Sequence, residues 1–153
     1  IMSNYNTSKI KTKLGNFILI QENNIIKKFY PSKKKLSTSK GSLIQIEFQN
    51  NINNYLAKKI KKINFSCKPK GTSFQIKVWN EIKKIQYGNT KTYLEIANKL
   101  KSSPRAIGNA CAKNICLLLI PCHRVIKSNG QLGGFILGKK IKNFLIEMEQ
   151  DGK

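Results

Sequence analysis

Residues 117–126 read LLLIPCHRVI and set a cysteine, a histidine and an arginine side by side behind a proline, at the end of an apolar run. His123 is the chain's single histidine, and Arg105 and Arg124 are the only arginines among 29 basic residues. A thiol becomes a useful nucleophile only as thiolate, and an adjacent imidazole can take its proton. The imidazole in turn needs an acid to orient it, and the chain offers Glu22, Glu47, Glu81, Glu95, Glu147, Glu149 and Asp151. The competing reading of Cys122 is a buried structural thiol at the end of a strand. A third reading joins Cys111, Cys116, Cys122 and His123 as metal ligands. Spacing opposes it, because adjacent residues rarely bind one tetrahedral zinc and no C-x-x-C pair is present. Neither a metal nor a cofactor is expected.

A formal net charge of +22 and a pI near 10.1 favour a polyanionic partner, either nucleic acid or an anionic membrane surface. The chain is rich in Lys, Ile and Asn together, as AT-rich codon usage would produce, so part of the lysine excess accords with drift. Lysine meets any need for positive charge, whereas guanidinium is a planar, forked donor. Two surviving arginines therefore point to jobs that depend on geometry. The segment IMSNYNTSKI lacks an apolar signal core, and no stretch approaches a membrane span. Ile1 ahead of Met2 reads as a start-site or expression artefact. The cysteines Cys67, Cys111, Cys116 and Cys122 then suit a cytoplasmic chain with reduced thiols rather than a disulfide framework.

The elements that must hold these residues fall into two halves. In the first, NTSKIKTKL, GNFILIQ and NIIKKFYP read as strands separated by Gly15 and by a turn at ENN, and KKKLSTSKGS reads as a polar, basic loop. Residues 43–60 turn helical, with Ile46, Phe48, Ile52, Tyr55, Leu56 and Ile60 roughly on one side. INFSCKPKG reads as a further strand and a linker, which places a boundary between an α/β domain at 1–70 and a mostly helical domain at 71–153. There GTSFQIKVWNEIKKI starts at a cap on Thr72 or Ser73, and TKTYLEIANKL at Thr92. SSPRAIGNACAK starts at Ser103 with Pro104 in the first helical position, where a missing N–H costs nothing. Two short helices across a tight polar turn suggest a helix-turn-helix. A glycine-rich loop, SNGQLGGFILG, precedes a last helix at about 139–149.

IPCHRVI resembles the acceptor motif of the O6-alkylguanine-DNA alkyltransferases, which take an alkyl group from guanine onto cysteine. GTSFQIKVW, YGNTKTYLEIA and RAIGNACAKN are similar to three further family motifs, so four stretches match in order over residues 71–149. The first 70 residues match only in kind. The resemblance implies an α+β fold: a small N-terminal antiparallel β-sheet with a helix, ribonuclease H-like, then the helical domain with its helix-turn-helix. It implies Cys122 as alkyl acceptor, His123 as the base that draws off its proton through a water, Glu149 as the orienting acid with Glu147 as the fallback, and Asn114 as the prop of the active-site turn. It also implies that the Tyr93 hydroxyl bonds the guanine ring, that Cys122, Val125 and Ile136 line the pocket with their backbone, and that Arg105 enters the base stack. Arg124 resembles a structural member of the motif. The small residues Ala106, Gly108 and Ala110 of the Arg105 helix would permit close approach to a minor groove. The implied partner is double-stranded DNA carrying O6-alkylguanine, with O4-alkylthymine as a further lesion, met by a monomer away from any membrane. Departures from the family pattern are Ile115 where proline usually follows the asparagine, Phe135 for the commoner tyrosine, and Ile136 for a small polar residue. The alternative class is a non-catalytic basic helix-turn-helix DNA-binding protein with a structural Cys122. A cysteine hydrolase fits less well, having no need of a DNA-binding fork.

Overall fold

The computed structural model describes residues 5–33 and 42–153, and the chain divides into two compact units, Ile1–Pro69 and Lys70–Lys153. The expected basic loop at 33–42 falls almost wholly outside the described residues. In the first unit, β1 (Tyr5–Thr12), β2 (Gly15–Glu22) and β3 (Ile25–Pro31) form an antiparallel meander. The sheet is not antiparallel throughout. INFSCKPKG supplies only β4 (Ser66–Cys67), which pairs in parallel with β3 at Ile25 and Ile26.

The helix α1 (Leu43–Leu56) starts on a Ser42 cap and buries Phe48, Ile52, Tyr55 and Leu56. It ends four residues before the sequence pattern suggests, because Lys58 takes a left-handed φ of 64° and turns the chain out of the helix. Ile46 is half exposed rather than packed. Phe29 stacks on Phe17 with centroids 4.7 Å apart and meets the edge of Phe48 at 4.9 Å, forming the centre of this core. Polar helix residues have a second task. Gln45, Gln49 and Asn53, four apart and so on one face, bond the backbone of Lys9 and Lys11 at 2.7–3.1 Å. β1 is an edge strand of its sheet, and these amides occupy hydrogen-bonding groups that would otherwise template another strand.

The second unit holds α2 (Ser73–Lys83), β5 (Lys91–Thr92), α3 (Tyr93–Leu100), α4 (Pro104–Ala112), a 3-10 turn at Cys122–Arg124, β6 (Val125–Ile126) and α5 (Lys139–Asp151). Thr72 and Gln75 form a reciprocal capping box at the start of α2. Thr92 caps α3, and Ser103 caps α4 with Pro104 at its start. Between α3 and α4 lie Lys101, left-handed at φ 54°, and two serines, giving the tight polar turn of a helix-turn-helix. Trp79 is buried from α2 and donates its indole N–H to the Ala110 carbonyl of α4 at 2.9 Å, tying the two helices. β5 pairs in parallel with β6. That pairing sets the start of α3 beside the strand that leaves the 3-10 turn. Among the described residues no helix is long and apolar enough to cross a membrane.

Candidate active site

Cys122 opens the 3-10 turn, and the segment before it is held by a compact set of bonds. Leu118 adopts φ 69°, a left-handed conformation that costs a branched residue about 1 kcal/mol or more. The turn is fixed by Ile120 N–H to Cys116 at 3.0 Å and Cys122 N–H to Ile120 at 2.7 Å. Asn114, buried, braces it from both ends of its amide. Its nitrogen donates to the Ile120 carbonyl at 2.9 Å and to Cys122 Sγ at 3.1 Å, while its oxygen accepts the Cys116 N–H at 2.9 Å. Ile115 leaves this brace intact without the usual proline.

His123 is fully buried, and its Nε2 lies 2.8 Å from Glu149 Oε2 of α5. Glu149 also receives both forks of Arg124: Nε to Oε1 at 2.7 Å and Nη2 to Oε2 at 2.9 Å. The third donor, Nη1, reaches the Ile85 carbonyl at 2.6 Å after α2. Burial pulls the Glu149 carboxyl up, but hydrogen bonds from His123 and Arg124, with their charge, hold it at about 2. Burial keeps the imidazole below its ordinary value despite that carboxylate. His123 is therefore neutral at pH 7. With Glu149 ionised, Nε2 carries the hydrogen and Nδ1 is the nitrogen that can take a proton. Glu147 is exposed on α5, so the fallback acid does not reach this cluster.

A cavity of about 750 Å³ is lined by Tyr93, Arg105, Gly108, Cys111, Cys122 and Ile136, among others. Tyr93 stands at the first position of α3. Gly133 approaches it so closely that a Cβ would lie 2.9 Å from the hydroxyl and 3.0 Å from the ring, and its φ of 76° is one that favours glycine. Lys142 of α5 is buried and donates to the Tyr93 oxygen at 3.3 Å and to the Gly134 carbonyl at 3.2 Å. An ammonium is donor only, so Tyr93 accepts this bond and keeps its own proton for another partner. Burial raises the Tyr93 hydroxyl to about 12 and lowers the Lys142 amine to about 8. The Cys122 thiol is pushed well above its ordinary value by a hydrogen bond with Cys111 and by burial, while Asn114 and Lys142 act to lower it. The resting sulfur is a thiol.

Of the residues marked in the sequence, Cys122, His123, Glu149 and Asn114 come together, with Tyr93, Arg105, Gly108 and Ile136 on the adjoining cavity. Arg105 is exposed at its wall and Ile136 is 57% exposed. Three stand apart from the cavity. Val125 is fully buried in β6, paired with Lys91, and is not on the cavity wall. Ala110 is buried, its carbonyl taken by Trp79, so it offers no outer surface. Ala106 is half-buried and not part of the cavity wall. Lys142 was not singled out, yet Lys142, Leu145, Ile146 and Glu149 recur at three, four and seven residues and form the buried face of α5. Cys111 enters as a second thiol on the cavity wall with Cys122. Among the described residues no group of three His, Cys, Asp or Glu side chains could hold a metal ion.

The profile of the "6-O-methylguanine DNA methyltransferase, DNA binding domain" family matches residues 73–151. The chain is 38% identical over 127 residues to a methylated-DNA–protein-cysteine methyltransferase of Methanosarcina acetivorans, spanning 79% of this chain and 81% of that protein. It is 52% identical over 77 residues to the protein of the same name from Sulfolobus acidocaldarius, spanning 50% of this chain and about half, 49%, of that one. It is also similar to the crystal structure of Mycobacterium tuberculosis OGT in complex with DNA, with a TM-score of 0.84 and 27% identity over 95% of this chain and 93% of that one.

Proposed function

The chain belongs to the methylated-DNA–protein-cysteine methyltransferase family, and from that premise we propose that it repairs O6-alkylguanine in duplex DNA by moving the alkyl group onto its own Cys122. One observation carries the assignment of residues: Cys122, Tyr93 and Arg105 line a single cavity of about 750 Å³. An O6-alkyl group lies inside the duplex, so the nucleotide must be extruded, at a cost of a few kcal/mol that is least for a mispaired base. Arg105, exposed at the cavity wall in the first turn of α4, occupies the vacated stack. Gly108, one turn on, leaves room beside the strand.

With the base in the cavity, His123 Nδ1 takes the Cys122 proton through a water, and the Glu149 carboxylate stabilises the imidazolium that results. The raised resting value of Cys122 makes this transfer part of the reaction, not of the free protein. Sulfur then attacks the alkyl carbon in line: the S–C bond forms, the C–O bond breaks, and its electron pair returns to the ring as guanine. Tyr93, protonated at any physiological pH, donates toward the ring as that charge develops, with Lys142 holding the hydroxyl by its oxygen. The thioether product is not reversed by thiol reductants, so each molecule acts once. O4-alkylthymine would enter the same cavity, and the reaction belongs in the cytoplasm, where thiols stay reduced. The non-catalytic helix-turn-helix reading is not favoured: it gives no task to a thiol, a neutral histidine and an ionised glutamate in one chain of contacts.

Cys122→Ser tests the assignment. Transfer from methylated duplex should be lost while DNA binding persists, because serine is a far weaker nucleophile near neutral pH. Retained single-turnover repair would refute it.

A further inference from the structure

Cys111 shares the cavity wall with Cys122, and the two thiols lie near enough to act on each other electrostatically. Cys111 is half-buried and Cys122 only 5% exposed, so a small solute in the cavity meets Cys111 first. Cys111 also lies one residue before α4 ends at Ala112, in a terminal turn that yields more readily than a helix interior. The remaining thiols are placed differently. Cys116 is fully buried and bonded into the turn below Cys122, and Cys67 belongs to the other compact unit.

We propose that Cys111 and Cys122 form an oxidation site that takes hydrogen peroxide and closes as an intramolecular disulfide. Cys111 sulfur attacks one peroxide oxygen: an S–O bond forms, the O–O bond breaks, and the departing hydroxide leaves as water with the thiol proton. Cys122 then attacks the sulfenic sulfur: the S–S bond forms, the S–O bond breaks, and a second water departs with the second proton. Two thiols and one peroxide thus give one disulfide and two waters. The bond, about 2.05 Å long, requires the two sulfurs to meet, a movement drawn from the terminal turn of α4. The disulfide withholds the sulfur from alkyl transfer and from irreversible over-oxidation, and a thiol reductant returns it. The bond formation needs only the two thiols; that it silences repair rests on Cys122 being the acceptor.

The test treats the intact protein with hydrogen peroxide, removes the excess, and reads intact mass, peptide linkage and repair before and after dithiothreitol. The parent protein should lose two hydrogens, yield a linked pair of peptides bearing Cys111 and Cys122, and lose repair that dithiothreitol restores. Cys111→Ser, with Cys111→Ala as a second variant, should instead gain oxygen on Cys122 and stay inactive after reduction, each compared with its own untreated sample. Oxygen added to the parent without the linked pair, a linkage through Cys116 or Cys67, or recovery of both variants as complete as the parent's would overturn the site. A linked pair that leaves repair intact would instead overturn Cys122 as acceptor.

Discussion

Glu149 holds His123 through one oxygen and Arg124 through both, and its replacement separates chemistry from fold. Glu149→Gln should slow alkyl transfer by at least about tenfold, because a neutral amide cannot stabilise the imidazolium. Glu147→Gln, exposed on the same helix, should leave the rate near the parent's. The carboxyl also gives a pH signature. Its folded value lies at about 2 against an ordinary 4.5, so its stabilisation is complete above 4.5 and is lost as pH falls through 2. That amounts to on the order of 3 kcal/mol. His123 acts in the same direction, since a folded value below 6.5 makes stability fall once pH drops under 6.5. Thermal melts of Glu149→Gln should show a lower Tm at pH 7 and a shallower decline below pH 4.5. Parallel declines would mean the carboxylate is not held by these partners. Tyr93→Phe should slow transfer from duplex and from free O6-benzylguanine alike, whereas an effect confined to duplex would place the hydroxyl on DNA rather than on the base. That Cys122, His123, Glu149 and Asn114 would come together was legible through the resemblance of four stretches to one family. Lys142 was not, since in so lysine-rich a chain a helical lysine reads as solvated, although its spacing to Glu149 carried the signal.

At the scale of elements, the loop before α5 and the start of α3 fix the pocket together. A methyl group on Gly133 would press the Tyr93 hydroxyl and also strain a backbone at φ 76°. Gly133→Ala should therefore cost about 1 kcal/mol or more of stability and slow transfer from free O6-benzylguanine. Gly134→Ala, where a Cβ meets nothing within 4 Å, should do much less. Equal rates for the two would show that the close approach does not shape the pocket. The caps on Thr72, Thr92 and Ser103 were readable because capping is local, a hydroxyl meeting an N–H three residues on. The pairings of β3 with β4 and of β5 with β6 were not, because each joins two residues to two across a long separation and leaves no periodic pattern.

Across the whole molecule, a net charge of +22 supplies phosphate affinity without sequence preference. Arg105 has a narrower part. Arg105→Ala should slow repair of duplex and affect free O6-benzylguanine much less, since no stack then needs filling. Lys113→Ala, exposed just past α4, should weaken binding to all DNA about equally and lower the salt slope by roughly one phosphate contact. Equal slowing by Arg105→Ala on both substrates would make it a support of the fold. All of these effects on rate depend on alkyl transfer to Cys122. It is tested most directly by intact-mass and peptide analysis after incubation with excess duplex containing O6-methylguanine. The expected result is one methyl group per protein molecule, carried on the Cys122 peptide, with an equal amount of guanine restored and no further turnover. An unchanged protein mass, a methyl group on another residue, or guanine restored in molar excess over protein would contradict it.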